Sequence, residues 1–201
     1  MVFTVKILDG KLSKKMRIIS GTLKGKSISF LRNSITRPLK DNVRENILNI
    51  LKHSKLIPVK IENANILDLY SGIGSFGLEC ISRGAKKVTF IEENKNTFKI
   101  LKENLVKLKI NNKAILLNNK IENVLKYCKN EKYNIFFLDP PFNNNDFTKN
   151  IDLIKKLQII NKRHIVIIHR EQKTLENLEK FLNITFVKQY GRSKIIFGLF
   201  N

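Results

Sequence analysis

A glycine-rich loop between an apolar strand and a helix constrains the fold more than any other feature of the sequence. Residues 66–69 have the composition of a buried strand, and Gly-x-Gly-x-x-Gly follows at 72–77. A helical pattern comes next, and a second strand pattern at 87–91 ends directly before Glu92. Glycines allow a tight turn and a close approach of the backbone to a ligand. Because Glu92 follows Gly72 by about 20 residues, the unit predicts a βαβ fold with a ribose-binding carboxylate.

Strand and helix patterns alternate from residue 64 to about residue 170, which indicates βαβ units and a parallel sheet. The predicted strands are 64–69, 87–91, 114–117, 133–138 and 165–169, and the predicted helices are 78–82, 96–108, 124–129 and 151–157. Segments 185–189 and 194–200 predict a hairpin at the sheet edge. A ligand of such a sheet binds at the carboxyl ends of the strands, at a topological switch point.

The N-terminal segment has a different pattern. Residues 16–21 and 25–30 predict a hairpin, and apolar residues at helical spacing predict a helix that runs to residue 51 and is capped by Asp41. We therefore expect three parts in the chain. These are a flexible arm at 1–15, a hairpin-and-helix extension at 16–57 and a main domain at 58–201.

A second motif, Asp-Pro-Pro-Phe at 139–142, directly follows the predicted strand 133–138. Proline fixes φ and lacks an N–H donor, and it biases the preceding residue toward extended backbone, so the loop is stiff. The Asp139 carboxylate and the Pro140 carbonyl can both accept hydrogen bonds from one exocyclic amino group, while Phe142 can stack on the ring that carries it. The alternative interpretation is a tight strand exit without function. Both loops are predicted to lie at strand exits, where a ligand of this fold binds.

Asp68 distinguishes between two ligands that a glycine loop of this kind can serve. It stands just before the loop, where it would repel the pyrophosphate of NAD and attract the ammonium group of S-adenosylmethionine. The Asp-Pro-Pro-Phe loop also presents an amine and provides no partner for hydride transfer. These features resemble the class I methyltransferases, which use S-adenosylmethionine and, where they carry this loop, act on exocyclic amines.

The composition of the chain indicates which kinds of binding partner and which protein classes fit it. The net charge is +21 and the isoelectric point is near 10.1, which favours a polyanionic partner, although a generally basic surface is the alternative. Cys80 and Cys128 are predicted to be reduced, buried thiols of a cytoplasmic protein. The sequence has no apolar run long enough for a membrane span, no signal-peptide pattern and no Cys/His spacing typical of zinc. His164 and His169 flank a predicted strand and are interpreted as structural.

A closer resemblance covers residues 16 to 200. The Arg-Ile-Ile-Ser-Gly segment at 17–21, the Arg-Pro pair at 37–38, the glycine loop, the Asp-Pro-Pro-Phe loop and Tyr190-Gly191 occur in the order and spacing of the bacterial 16S rRNA guanine-N2 methyltransferase family. The resemblance implies a Rossmann-like α/β fold with a mostly parallel central sheet and an antiparallel last strand. It also implies methylation of N2 of one guanine, within the small ribosomal subunit or its assembly intermediates, with release of S-adenosylhomocysteine. This chemistry needs no metal, and we expect a monomer.

The motifs and this resemblance together assign roles to individual residues. The expected catalytic residues are Asp139, Pro140 and Phe142. The expected cofactor-binding residues are Asp68, Tyr70, Gly72, Gly74, Glu92, Asn119 and Ile121. The expected RNA-binding residues are Arg17, Lys24, Lys26, Arg37, Arg44, Tyr190 and Arg192, with Tyr190 as a stacking partner and the others as phosphate contacts.

The sequence departs from the family pattern at two positions. Leu39 follows the Arg-Pro pair where the family has threonine, and Lys120 stands near the position of an Asp or Asn that accepts from the adenine amino group. Asn119 or the Ile121 backbone is the expected substitute. Two other functions stay open at this point. One is methylation of another amine, either adenine N6 in DNA or RNA or a glutamine side chain, and the other is a non-catalytic RNA-binding assembly factor.

Overall fold

The described residues of the computed structural model are 14–30, 39–144 and 146–201, and they form two β-sheets and five α-helices. The smaller sheet is an antiparallel hairpin of β1 (Lys14–Arg17) and β2 (Ser27–Phe30), followed by α1 (Asp41–His53). The hairpin agrees with the sequence prediction, and β1 begins two residues earlier than expected.

A seven-stranded sheet forms the centre of the chain. Its first four strands alternate with helices, in the order β3 (Asn65–Leu69), α2 (Ser75–Ser82), β4 (Lys87–Ile91), α3 (Lys95–Leu108), β5 (Ala114–Leu117), α4 (Ile121–Val124) and β6 (Tyr133–Leu138). The chain then continues through α5 (Phe147–Lys156), β7 (Ile160–Glu171), β8 (Leu182–Tyr190) and β9 (Ser193–Phe200). The strand order across the sheet is β5-β4-β3-β6-β7-β9-β8.

The sheet is parallel from β5 to β7, and β9 pairs antiparallel with both β7 and β8. This confirms the predicted α/β class with a mostly parallel sheet and an antiparallel last strand. The central parallel strands are apolar and buried on both faces, as a sheet covered by helices on two sides requires. Successive residues of β6 therefore face opposite layers: Ile135 and Phe137 pack on one side, and Phe136 and Leu138 on the other.

Several element boundaries differ from the sequence prediction, and the larger differences are at α1, at α4 and at β7. Asp41 is the first helical residue of α1 and Lys40 precedes it at the cap position, while the Asp41 carboxylate lies 3.1 Å from the Arg44 guanidinium. The helix predicted at 124–129 is instead the short α4 followed by a 3-10 turn, Leu125–Cys128. Strand β7 is longer than its apolar run because Ile160 already pairs with Tyr133 of β6 and, at the other end, Arg170 and Glu171 pair with β9. None of the helices in the described ranges has the length and apolar character to cross a membrane.

The N-terminal hairpin is joined to α2 by backbone and side-chain hydrogen bonds. Glu79 accepts from the Ile19 N–H at 2.5 Å, and Ser82 accepts from the Leu23 N–H through its hydroxyl at 2.9 Å. Gly21 lies at φ +83°, and a Cβ there would approach the Ser82 carbonyl oxygen to 2.0 Å. The close approach of the two backbones therefore requires glycine at this turn.

A buried ion pair completes this junction. Arg44 is 0% exposed and donates to the Arg17 carbonyl at 3.1 Å, while its Nε lies 3.6 Å from Glu79 Oε1. Burial lowers the pKa of the Arg44 guanidinium and raises the pKa of the Glu79 carboxyl, because desolvation disfavours each charge. The two charges stabilise each other in the core, and each has a second charged neighbour, Asp41 for Arg44 and Arg83 for Glu79.

We expect Arg44→Met to lower the free energy of unfolding by about 1–3 kcal/mol, because it removes the donor to the Arg17 carbonyl and leaves the buried Glu79 carboxylate with Arg83 as its one cationic neighbour among the described residues. Urea unfolding followed by circular dichroism measures this. The matched control is Arg163→Met, at an exposed arginine, which should change stability by less than about 0.5 kcal/mol. Equal stability of the two variants would contradict a structural role for the Arg44–Glu79 pair.

Candidate active site

The carboxyl ends of β4, β3, β6 and β7 form one edge of the sheet, where the residues of both sequence motifs meet. Strand β3 lies between β4 and β6, so the chain leaves β3 toward one side of the sheet and later returns to its other side. This is a topological switch point, the place where open α/β sheets bind ligands. The loops that follow β3 and β6 adjoin there, and the Asp139 N–H faces the Leu69 carbonyl at 3.4 Å.

The glycine loop after β3 has an unusual backbone. Tyr70, Gly72 and Gly74 all have positive φ, at 61°, 56° and 83°. A Cβ on Gly74 would lie 2.5 Å from a Leu101 methyl carbon, so packing excludes a side chain there. A Cβ on Gly72 would meet no atom within 4 Å, so this residue faces open space. Gly72 thus leaves room for a ligand next to the backbone, while Gly74 allows the loop to pack on α3.

Asp68 supports the loop from within the protein. It is 1% exposed, and its Oδ2 accepts a hydrogen bond from the Gly77 N–H at 3.1 Å. Desolvation by burial raises the pKa of this carboxyl well above its usual range. The prediction that Asp68 contacts the ammonium group of a ligand does not fit this placement, because the carboxylate has no exposed surface.

Glu92, the predicted ribose ligand, is part of the same loop structure. Its Oε2 accepts from the Gly72 N–H and its Oε1 from the Asn94 N–H, both at 2.8 Å, and burial raises its pKa. The Asn118 amide donates to the Glu92 carbonyl at 2.7 Å. Each carboxylate oxygen retains a second lone pair, and the residue is only half-buried. Glu92 therefore fixes the loop at Gly72 and remains able to accept from hydroxyl groups.

The remaining predicted cofactor residues surround this edge. The Tyr70 hydroxyl accepts from the Asn150 amide at 2.7 Å, which links the glycine loop to α5. The Asn119 side chain is exposed, and its Oδ1 accepts from the Lys120 N–H at 2.8 Å and from the Asn123 amide at 2.9 Å. Ile121 is the buried first residue of α4. The side-chain oxygen of Asn119 thus stabilises the start of α4. A contact between Asn119 and an adenine stays a prediction.

The Asp-Pro-Pro-Phe loop presents its carboxylate and its aromatic ring at the surface. The Asp139 side chain is 24% exposed, and Phe142 is 38% exposed. His169 Nδ1 lies 2.7 Å from Asp139 Oδ1, and the Phe142 ring is edge-on to the imidazole, with centroids 5.4 Å apart. A carboxylate that is held on one side and open on the other suits the binding of a neutral amine.

Arg170 holds the same loop from the interior. It is 0% exposed and donates from Nη1 to the Pro141 carbonyl and from Nη2 to the Phe142 carbonyl, both at 3.0 Å. Its Nε donates to Glu176 at 2.7 Å, and its guanidinium stacks 4.7 Å above the Phe147 ring. The planar guanidinium thus fixes two successive carbonyls at once, which a lysine cannot do.

Sequence reasoning missed both His169 and Arg170. His164 fits the structural interpretation, since Nδ1 lies 2.9 Å from the Asn161 carbonyl and Nε2 accepts from the Phe200 N–H at 3.0 Å. His169 instead contacts the predicted catalytic carboxylate. The available signal is strand register: if β6 and β7 pair at Leu138 and Ile168, the next residues of both strands lie side by side.

The predicted RNA-binding residues fall into different environments. Arg17, Lys24, Lys26 and Arg192 are exposed, and Tyr190 is half-buried. The Arg192 carbonyl accepts from the Gln172 N–H at 2.8 Å, which places the β8–β9 turn beside the carboxyl end of β7. Arg44 was predicted to contact phosphate and does not fit that role, because it is fully buried and paired with Glu79. Arg37 lies outside the described residues.

Comparisons of the sequence with known proteins identify the family of the chain. The family model described as Conserved hypothetical protein 95 matches residues 16–198. Ribosomal RNA small subunit methyltransferase D of Buchnera aphidicola subsp. Acyrthosiphon pisum is 37% identical over 161 residues, which cover 80% of this chain and 81% of that protein.

Solved structures give the same fold. The Escherichia coli protein yhhF superposes with a TM-score of 0.79 at 27% identity, over 94% of this chain and 99% of that chain. SMU.776, a protein complexed with SAH, superposes with a TM-score of 0.65 at 15% identity, over 86% of this chain and 53% of that chain. At this lower identity, the second comparison supports the fold alone.

We expect Arg170→Lys to lower the free energy of unfolding by about 1–3 kcal/mol, because lysine leaves at least one of the two loop carbonyls without a donor. Urea unfolding measures the change. Arg163→Lys is the matched control, since Arg163 is exposed on the same strand. If both variants unfold at the same urea concentration, the loop does not depend on the geometry of the guanidinium.

Proposed function

The chain belongs to the Conserved hypothetical protein 95 family and to the family of ribosomal RNA small subunit methyltransferase D, and from this premise we propose that it transfers a methyl group from S-adenosylmethionine to the exocyclic N2 of one guanine in 16S rRNA. The observation that carries the proposal is the stiff Asp-Pro-Pro-Phe loop at the same sheet edge as the glycine loop. There a half-open carboxylate, a rigid loop and an exposed aromatic ring adjoin a nucleoside-type ligand site.

The residues around the glycine loop fit S-adenosylmethionine. Gly72 faces open space, and Glu92 beside it retains lone pairs for the two ribose hydroxyls. Asn119 and the Ile121 backbone lie after β5, on the side of the site where an adenine would bind in the proposed pose. When bound, the cofactor supplies an electrophilic methyl group on its sulfonium. A relative of this fold, SMU.776, was solved with SAH, which is consistent with the same ligand class here.

Asp139 and Pro140 provide the recognition of the amine. Guanine N2 is a poor nucleophile because its lone pair is delocalised into the ring. Hydrogen bonds from its two N–H groups to the Asp139 carboxylate and the Pro140 carbonyl would favour rotation of the lone pair out of conjugation. No described residue donates to the Pro140 carbonyl, whereas Arg170 binds the next two carbonyls of the loop. The carbonyl needed for the amine is therefore the one that the loop leaves unused.

The transfer itself requires mainly proximity and orientation. The N2–C bond forms as the S–C bond breaks, in an in-line displacement. Asp139 accepts the proton that N2 releases, or hands this proton on to water. Phe142 stacks on the base after the base has left its neighbours, at a cost of a few kcal/mol for unstacking. A base in an RNA loop is the least costly target, and RNA loops are also the usual sites of sequence-specific recognition.

The exposed cations support an RNA substrate. Arg17, Lys24 and Lys26 lie on the N-terminal hairpin, and Arg192 lies at the β8–β9 turn beside the site. The net charge of the chain is +21. We propose that these four residues bind rRNA phosphates and that Tyr190 is a stacking partner. We further propose that the protein acts as a cytoplasmic monomer on the small ribosomal subunit or its assembly intermediates.

The direct test is transfer of labelled methyl from S-adenosylmethionine to unmodified 16S rRNA, both bare and in small-subunit particles, followed by nucleoside analysis. We expect N2-methylguanosine, and we expect Asp139→Ala to reduce turnover by at least about 100-fold with the cofactor dissociation constant nearly unchanged. The loss follows from removal of the group that orients the amine.

Asp152→Ala is the matched control for this variant, because Asp152 pairs with Lys156 on the surface of α5. Label recovered as N6-methyladenosine, or only in protein or DNA, would exclude the guanine assignment and retain a methyltransferase. Undiminished turnover in Asp139→Ala would exclude the mechanism.

Glu92→Ala should weaken cofactor binding by about 10-fold to 100-fold, because it removes the acceptor for the ribose hydroxyls and releases the Gly72 N–H. Isothermal titration calorimetry with S-adenosylhomocysteine measures the dissociation constant. Glu93→Ala changes an exposed neighbouring glutamate and should bind like the unaltered protein. Equal dissociation constants for the two variants would refute the assignment of Glu92.

A further inference from the structure

The structure assigns His169 a role in the reaction: we propose that it is a positioning residue whose imidazole donates from Nδ1 to Asp139 Oδ1 and so leaves Oδ2 to accept the amino hydrogen of the target base. This inference rests on the proposed amine methylation and adds to it the residue that fixes the catalytic carboxylate. Four features of the described residues support it, namely register, hydrogen bonding, burial and packing.

Strand register brings the two side chains together. Parallel strands β6 and β7 are paired up to Leu138 and Ile168, so Asp139 and His169 are the next residues of adjacent strands. Side chains at equivalent positions of neighbouring parallel strands point to the same face of the sheet. The contact of 2.7 Å between Nδ1 and Oδ1 is therefore set by the backbone of the sheet and not by a mobile loop.

The surroundings of the imidazole favour the tautomer with the proton on Nδ1. Nε2 is buried and has no hydrogen-bond partner among the residues that the structure describes. A proton on Nε2 would bury an unsatisfied N–H, which costs about 1–3 kcal/mol. A proton on Nδ1 instead points at a carboxylate oxygen, which is its strongest available acceptor. Asp139 thus receives one hydrogen bond from the protein and keeps its other oxygen for the substrate.

Packing fixes the ring that makes this bond. His169 is 8% exposed, and the Phe142 ring meets it edge-on at an interplanar angle of 75°. The next residue, Arg170, holds the Phe142 carbonyl at 3.0 Å, so the aromatic ring and the imidazole are positioned by successive residues of one strand. The carboxylate orientation is therefore established before a base enters, and such preorganisation lowers the barrier to reaction.

Two substitutions separate positioning from simple packing. His169→Asn places an amide N–H near the position of Nδ1 and keeps the donor, whereas His169→Leu fills similar space without a donor. Removal of one hydrogen bond to a charged group that is needed in the transition state lowers the rate constant by about 10-fold to 100-fold. We expect His169→Leu to lower kcat by that factor with KM for S-adenosylmethionine unchanged, and His169→Asn to stay within about threefold of the unaltered protein.

The matched controls are His53→Leu and His53→Asn, at an exposed histidine at the end of α1. Equal losses in His169→Leu and His169→Asn would overturn the proposal, because a donor would then make no difference. Unchanged kcat in His169→Leu would overturn it as well. If the unaltered protein methylates a different amine, the same comparison is made on that substrate, so failure of the rRNA assignment is seen first and separately.

A second measurement needs no substrate. Nitrogen-15 NMR of the imidazole groups in the protein without ligand reports which ring nitrogen carries the proton. We expect the His169 imidazole to carry a proton on Nδ1, and we expect His169→Asn to remove that signal and so assign it. A proton on Nε2 alone would reverse the direction of the hydrogen bond to Asp139 and overturn the proposal.

Discussion

The parallel alignment of β4, β3, β6 and β7 is the constraint on which the site depends. Parallel strands all end at the same edge of a sheet, so residues that follow four separate strands meet there without any long-range loop. Glu92 follows β4, the glycine loop follows β3, Asp139 follows β6 and His169 is near the end of β7. The backbone ladder, which is buried on both faces, therefore fixes the relative positions of the groups to which the proposed reaction assigns the cofactor and the target amine.

Two fully buried arginines hold separate parts of the chain on the main domain. Arg170 donates to two backbone carbonyls and pairs with Glu176, and Arg44 donates to the Arg17 carbonyl and lies beside Glu79. A buried guanidinium is costly unless carbonyls and carboxylates surround it, so each arginine favours the arrangement of neighbours that supplies them. Arg44 thereby fixes the N-terminal hairpin on α2, and Arg170 fixes the Asp-Pro-Pro-Phe loop on β7.

The sequence predicted those features of the structure that depend on local residue patterns, and it missed those that depend on contacts between distant segments. Strands β4, β5 and β6 were predicted to the residue, because an apolar run ended by polar residues or a turn is a local signal. Asp68 and Arg44 were assigned to ligands because a charged residue in a motif gives no indication of its burial. His169 and Arg170 were missed as site residues because their contacts depend on the register between β6 and β7, which sequence patterns do not specify.

Rigidity of the Asp139 loop also constrains how a nucleic acid reaches it. The two prolines restrict the loop backbone, Arg170 binds two of its carbonyls, and His169 holds its carboxylate. A loop held in this way cannot extend into a helical stem, so the base must leave its stack and come to the loop. The exposed cations on the hairpin and the β8–β9 turn, if they bind phosphates as proposed, contribute affinity that does not depend on the RNA sequence. Selection of one base in the proposed reaction therefore falls to the cost of unstacking and to the fixed acceptors at Asp139 and Pro140, which favours an amine in an unpaired RNA segment.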